Sequence, residues 1–357
     1  MYQCAGLVVF YHQVCTYRGG PLMTSPETKK RDEKQRDKLS SLKQKAITKE
    51  DLHGRLEEMS KRVLDPKVGL YGPQSQSWRV NRYTSVMMGA GCANLLQLAH
   101  PWVSQAIDQH SQTQTDPFGR LRRTFLNVHT MVFGSLDQVL DAAIKVHSIH
   151  AKITGQASES AGQTRKGSAY FANQIGAMLW VHATLWITGL RVYELFHKPL
   201  TALEKEQYYQ ESKLFAFLFG IPESAMPDTW QDFLDYYHGV IQSDELAVGE
   251  VGRQLVDYIF SMKAFLKPVL NRHKMHTAVL LPERLRLDFG FPQVTPALQK
   301  QFDRDVKLAR GFFAVSPDAI KFMPPYLEAS HRIRGESTDL VTRFSNRILY
   351  GQPLLVS

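Results

Sequence analysis

Two groups of residues in this chain have types and spacing suited to chemistry. The first is His182, set in the apolar run Leu179-Trp180-Val181-His182-Ala183-Thr184-Leu185 and sharing a helical face with Met178, Leu185 and Gly189. A buried imidazole must find a hydrogen-bond partner or a metal, because an unpaired buried polar group costs about 1–3 kcal/mol. Two readings stay open: a core histidine satisfied by a backbone carbonyl, or an axial ligand to haem iron. One helix-borne histidine facing a flat apolar slot is what haem requires. Gly189, two turns on, leaves room for a planar group or a close helix. The second group is Gly119-Arg120-Leu121-Arg122-Arg123-Thr124. The i, i+4 spacing puts Arg120 and Thr124 on one helical face, with Arg123 beside them. This is either a solvated basic face or a set of donors lying over a cofactor. His100, His110, His129, His147 and His150 are read as structural.

Signatures of other chemistries are missing. The chain has no Gly-rich phosphate loop, no His-Glu-x-x-His, no Cys-x-x-Cys and no Gly-x-Ser-x-Gly elbow.

The elements that must position these groups read as helices. Thr48 with Asp51 starts one, on which Leu52, Leu56, Met59 and Val63 share a face. Gly69-Leu70-Tyr71-Gly72-Pro73 is a loop. Thr84 to Ala99 is apolar on most sides and predicts one buried helix; Pro101 opens the next. After the Asp116-Pro117 turn, Leu121, Phe125, Val128 and Val132 mark a helix that ends at Gly134. Ser135 caps its successor, which carries His147 and His150. Residues 156–168 are rich in Ser, Gly and charge and form the clearest internal loop. A long helix over residues 173–197 follows, stopped by Pro199. Thr201 with Glu204 is a capping box, and Asp228 or Thr229 caps another helix. Beyond Leu281 the pattern breaks into shorter segments punctuated by prolines. The expected class is all-α: a flexible or loosely helical arm over residues 1–47, then one globin-like helical domain over 48–357.

Composition narrows the function classes. Of 357 residues 43% are hydrophobic, enough for a sizeable core, and the three cysteines make neither a disulfide framework nor a metal knuckle. Cys92 reads as a small core residue. The net charge of +9 is spread among interleaved acids and bases over residues 27–67, without a basic stripe carrying aromatics, so nucleic acid is not an expected partner. The basic excess favours weak peripheral contact with anionic membrane surfaces. The apolar stretch from Ala5 to Tyr11 lacks the preceding basic residues of a secretory signal, and a cytoplasmic location is expected. The apolar run from Ile175 to Leu190 carries His182 in its middle and reads as a core helix, not a membrane span.

Several blocks in order resemble one family: Gly69-Leu-Tyr-Gly-Pro73 with Ser77-Trp78-Arg79, Leu96-Gln-Leu-Ala-His-Pro101, Asp108-Gln-His110-Ser111, Arg120-Leu-Arg-Arg-Thr124, Val132-Phe-Gly134, Ile149-His150 with Gly155, and Trp180-Val-His182-Ala-Thr184. They are similar to the haem-binding family of the bacterial latex-clearing proteins (rubber oxygenases) and the fungal oxygenase of mycophenolic acid biosynthesis. The similarity runs from about Val68 to Phe219 and fades through about Leu287. It implies haem b, with its iron, in a globin-like core. By the same resemblance His182 matches the proximal metal ligand, and Arg120, Arg123 and Thr124 match the distal arginine, lysine and threonine, so that Arg120 and Thr124 would also contact the cofactor. The implied reaction is dioxygen-dependent oxidation, or cleavage at a carbon–carbon double bond, of a small hydrophobic isoprenoid- or lipid-like molecule. Two departures limit the transfer. Arg123 stands where the family has lysine, and the family's glutamate has no counterpart between Trp78 and Arg120, where Asp108 and Asp116 are loose substitutes. The rival from another class is a non-catalytic haem protein, a gas sensor or haem carrier; a haem-free helical scaffold is the third.

Overall fold

The computed structural model describes residues 41–111, 116–260 and 267–355. The chain divides into two compact units, Met1–Leu42 and Lys43–Ser357; only residues 41 and 42 of the first are described, so most of the expected arm lies outside the described residues. Residues 43–47 belong to the second unit, where Ile47 is buried and its N–H donates to the Asn173 carbonyl at 2.9 Å.

Among the described residues the second unit is built from α1 (Lys49–Ser60), α2 (Gln76–Asn81), a 3₁₀ turn (Thr84–Gly89), α3 (Ala90–Leu98), α4 (Pro101–His110), α5 (Pro117–Phe133), α6 (Leu136–His150), β1 (Thr154–Gln156), β2 (Ala169–Phe171), α7 (Ile175–Phe196), α8 (Ala202–Phe217), α9 (Trp230–Gln242), α10 (Glu250–Phe260), α11 (Lys267–Leu280), α12 (Glu283–Asp288), α13 (Pro296–Val315), α14 (Asp318–Lys321), α15 (Pro324–Arg334) and α16 (Leu340–Tyr350). The class is all-α, as the periodicity predicts. Local chemistry starts most of these helices. Thr48 and Asp51, Thr201 and Glu204, and Thr229 and Asp232 form reciprocal capping boxes on α1, α8 and α9. Proline occupies the first turn of α4, α5, α13 and α15, where its missing N–H costs nothing.

Two expectations are corrected, and the expected loop is given its flanking strands. The single helix foreseen over residues 84–99 is a 3₁₀ turn followed by α3. There the chain passes tightly beside α7, where a Cβ on Gly89 would come within 2.9 Å of both Val192 and Thr188. The loop over residues 156–168 is the connection of a small antiparallel hairpin, β1 pairing with β2 so that Gly155 faces Tyr170. The broken pattern near the C-terminus hides the 20-residue α13, whose Pro296 opens the helix behind the Thr295 cap instead of interrupting it.

α7 is the central element. Its 22 residues have the length and hydropathy of a membrane span, yet 83% of its most apolar window is buried inside the protein. It divides the core. Trp180, Ala183 and Ile187 pack with α3, α9, α11 and α13, whereas Trp186, Leu190 and Tyr193 pack with α1, α2, α5, α6 and α8. Cys92 lies buried in the first of these clusters.

α5 and α6 form an antiparallel hairpin closed by Gly134 and Ser135. The loop before α2 locks onto this turn. Gly69 has φ +82°, and a Cβ there would lie 2.0 Å from the Gly134 carbonyl oxygen. Left-handed backbone and overlap with another main chain penalise any side chain. Gly69→Ala is therefore expected to destabilise the protein by on the order of 3 kcal/mol. Urea unfolding of the variant beside the wild type checks this, and an unchanged midpoint would contradict it.

Candidate functional site

α3 connects the two groups singled out from the sequence. Asn94 accepts from Arg120 Nη1 at 3.4 Å, which hangs the start of α5 on α3. One turn further, Gln97 Nε2 donates to Thr184 Oγ1 at 3.1 Å, and the Leu96 carbonyl accepts from Trp180 Nε1 at 2.8 Å, which hangs α7 on the same helix. Asn94 and Gln97 escaped the sequence reading, because polar residues in an otherwise apolar helix carry no sign of what they meet.

Arg120 is the inward member of the basic group. Burial first, and the like charge of Arg123 second, lower its pKa to about 10, so it remains a cation at neutral pH. Arg123 points to the surface, 55% exposed, and pairs with Asp116 at 3.4 Å. Thr124 is exposed and its hydroxyl donates to the Arg120 carbonyl at 3.1 Å. Asp116 also caps α5, accepting from the Gly119 N–H at 2.8 Å. A Cβ at Gly119 would fall 1.8 Å from the Asp116 carboxylate, so a side chain there would displace that cap. With both oxygens engaged, Asp116 is a structural cap and not a free base.

His182 lies on α7 and is 2% exposed. Its Nε2 stands 3.4 Å from Ser212 Oγ on α8, and its Nδ1 has no hydrogen-bond partner. Phe215, Phe233 and Trp186 surround the ring at centroid distances of 6.2, 6.1 and 6.0 Å. Burial pushes its pKa down to about 3, so the imidazole is neutral and keeps a lone pair. At about 100° per residue, Trp180 and Thr184 share the side of α7 that faces α3, and His182 points to the opposite side, toward α8 and α9. The fold thus brings Arg120 and α7 to one bridging helix but turns His182 away from it.

A different imidazole stands at Arg120's end of the fold. Measured from the Gly134-Ser135 turn, Arg120 on α5 and His150 on α6 lie at nearly equal distances, about 20 Å by helix rise. His150 Nδ1 is buried without a hydrogen-bond partner. Burial, reinforced by His147, lowers the His150 pKa to about 4. His238 Nε2 on α9 and His331 Nδ1 on α15 are likewise buried without a hydrogen-bond partner, whereas three other histidines are occupied structurally. His100 Nδ1 caps α4 by accepting from Trp102 N at 3.3 Å, His129 Nδ1 meets the Tyr350 hydroxyl at 3.0 Å, and His147 Nε2 meets the Ile47 carbonyl at 3.2 Å. His110 lies at the exposed end of α4, 6.3 Å from the Tyr170 ring.

Among the described residues no group of three or more His, Cys, Asp or Glu is placed to hold a bare metal ion. A haem iron asks less of the protein, one axial side chain with a free lone pair. Buried His182 and half-buried His150, both neutral and each with an unsatisfied ring nitrogen, have the right donor chemistry for that role.

The model of the catalytic domain described as ER-bound oxygenase mpaB/B′/rubber oxygenase matches residues 78–311, more than half of the chain. The chain belongs to this family. The match begins at the buried Trp78 and takes in α3, the α5–α6 hairpin, α7 and most of α13. It supports a general oxygenase role, and an oxygenase uses dioxygen and a substrate. No curated protein and no solved structure matches the chain significantly.

Proposed function

We propose that this protein is a haem b-dependent oxygenase that oxidises, with dioxygen, an alkene in a small hydrophobic isoprenoid- or lipid-like substrate. The family match over residues 78–311 carries the reading. Buried, neutral His182, whose Nδ1 has no hydrogen-bond partner, supports the haem part of it, and half-buried His150, with a buried unpartnered Nδ1, is a second candidate. The family resemblance points to His182 as the axial ligand. The hairpin that sets His150 level with Arg120 favours His150 for any site that includes that arginine.

The haem, when bound, supplies the activation of dioxygen. The protein's own residues supply position. Arg120, held by Asn94, is a fixed cation that donates hydrogen bonds and does not exchange protons near neutrality. Thr124 stands one turn on, its hydroxyl now spent on the helix backbone. Arg123 has no lone pair to offer a metal, unlike the lysine it replaces. It is tied to Asp116, and its part in the site requires it to leave that pair. Asp116, committed to its cap and to Arg123, is no ready substitute for the missing glutamate. The reaction therefore rests on orientation and exclusion of water more than on an acid–base pair from the chain.

The test is an absorbance spectrum of the purified protein, followed by incubation with prenylated compounds and unsaturated lipids under isotopically labelled dioxygen. A Soret band and label in an aldehyde or ketone product are expected. A Soret band with reversible carbon monoxide binding and no turnover across the alkene panel would replace this reading with a haem sensor or carrier. No Soret band after haem is supplied during expression would remove both.

A further inference from the structure

The last helix of the described chain is inside out. α16 turns Thr342, Asn346 and Tyr350 into the protein, where they are nearly fully buried. Each is held by a polar group. Asp339 caps Thr342, Glu328 accepts from Asn346 Nδ2 at 2.8 Å, and the Tyr350 hydroxyl meets His129. Glu328, itself buried, also accepts from the Leu355 N–H at 3.0 Å and fixes the segment that follows. The inward face is therefore polar by necessity, since a buried carboxylate must be surrounded by donors.

The outward face carries the apolar residues. Leu340, Val341, Phe344 and Ile348 are 81%, 57%, 65% and 57% exposed. At about 100° per residue they fall within one arc of about 100°. Arg343 and Arg347, both exposed, border that arc on one side. No acidic residue occurs from Leu340 to the end of the chain.

We infer that this face of α16 is a docking surface for a membrane leaflet rich in anionic phospholipid, lying in the interface with Phe344 and Ile348 inserted and the two arginines among the headgroups. An amphipathic helix with bulky apolar residues on one side and arginines at their margin is the pattern of an interfacial helix. Each basic residue held near an anionic surface adds attraction, and the chain's net charge of +9 adds to it. A second copy of the chain is a poorer occupant. A symmetric contact through this face would set Arg343 and Arg347 against their own counterparts, with no carboxylate on either helix to answer them. Exposed clustered apolar residues of this size on an ordinary water-facing helix would be a liability, which a lipid contact removes. The surface lies outside residues 78–311, the stretch that the family model matches.

The experiment is cosedimentation of the full chain with vesicles of phosphatidylcholine alone and of equal parts phosphatidylcholine and phosphatidylserine. The wild type is expected to bind the mixed vesicles and to bind the neutral ones weakly or not at all. Phe344→Ser with Ile348→Ser should lower binding to the mixed vesicles by on the order of tenfold or more. Arg343→Gln with Arg347→Gln should lower binding to the mixed vesicles alone. Phe344, Ile348 and Arg347 point away from the Glu328–Asn346 network, whereas the charge of Arg343 acts on Glu328. Thermal unfolding is therefore measured for both pairs. Arg347→Gln alone is the arginine variant that leaves the network intact, and the arginine variants give a second reading should the serine pair disturb the fold. Absence of wild-type binding to the mixed vesicles overturns the inference, as does binding unaffected by both pairs. A dimer seen by analytical ultracentrifugation and dissolved by the serine pair, with no vesicle binding, assigns the face to a second copy instead.

Discussion

Replacing the axial histidine is expected to strip the protein of haem, and His150→Ala and His182→Ala should differ sharply in the result. A haem held by a single side chain loses its iron bond entirely when that imidazole becomes a methyl group, and the Soret absorbance per protein should fall to near zero. The outcome locates the cofactor. Loss in His150→Ala alone would put the haem at the open end of the α5–α6 hairpin, the end that carries Arg120. Arg120→Ala should then change the spectrum without emptying the site. Loss in His182→Ala alone would put the haem on the side of α7 that faces Ser212, Phe215 and Phe233. Arg120, anchored to α3 on the other side, would then have no direct part in the chemistry. The family resemblance favours the second outcome, and the orientation of α7 shows only that His182 lies away from Arg120. Both variants are single truncations in tightly packed surroundings, so each must be compared by circular dichroism with the wild type. His147→Ala, which breaks only the link to the Ile47 carbonyl, is the control that should keep its haem. Retention of haem in all three variants would sink both assignments.

The second large effect is acid lability. Burial lowers the pKa of His100 and of His129 to about 4. In the unfolded chain each returns to about 6.5. The folded pKa is the depressed one, so these groups carry no protons in either state above about pH 6.5, and stability is complete there. As the pH falls from about 6.5 toward 4 the unfolded chain binds protons that the folded chain refuses, and stability declines. Each imidazole contributes on the order of 3 kcal/mol to that loss once the pH is near 4. Two of them rival half the total stability of an ordinary domain. Urea unfolding followed from pH 8 to pH 4 should show the midpoint falling steeply through this window, above the range where carboxylates titrate. His100→Asn supplies the control. Asparagine is a good helix cap and can accept the Trp102 N–H as His100 does, yet it takes up no proton. The variant should match the wild type near pH 8 and surpass it near pH 5. Equal slopes for the two proteins would show that His100 is not the source.

What the sequence by itself determined is local. Thr48 with Asp51 and Thr201 with Glu204 start their helices as read, because a cap is settled by four consecutive residues and the backbone donors they satisfy. The burial of Leu52, Leu56 and Met59, of Cys92 and of most of α7 follows from apolar periodicity, which reports how much of a helix must leave water. The candidate groups around Arg120 and His182 were equally legible as types at a spacing. Periodicity does not say what a helix packs against, and there the tertiary structure decided. It turned His182 toward α8 and α9 and gave α3, through Asn94 and Gln97, the task of tying α5 to α7. It also set His150 level with Arg120, which follows from the closing of a hairpin and not from the distance between the two residues in the chain. α16 shows the limit most plainly. It lies in the stretch that reads from sequence only as short broken segments, and the structure puts Leu340, Phe344 and Ile348 outside. The buried carboxylate of Glu328 and the imidazole of His129 are partners that only the folded chain assembles, and hydrogen bonds to them draw in the polar face of the helix.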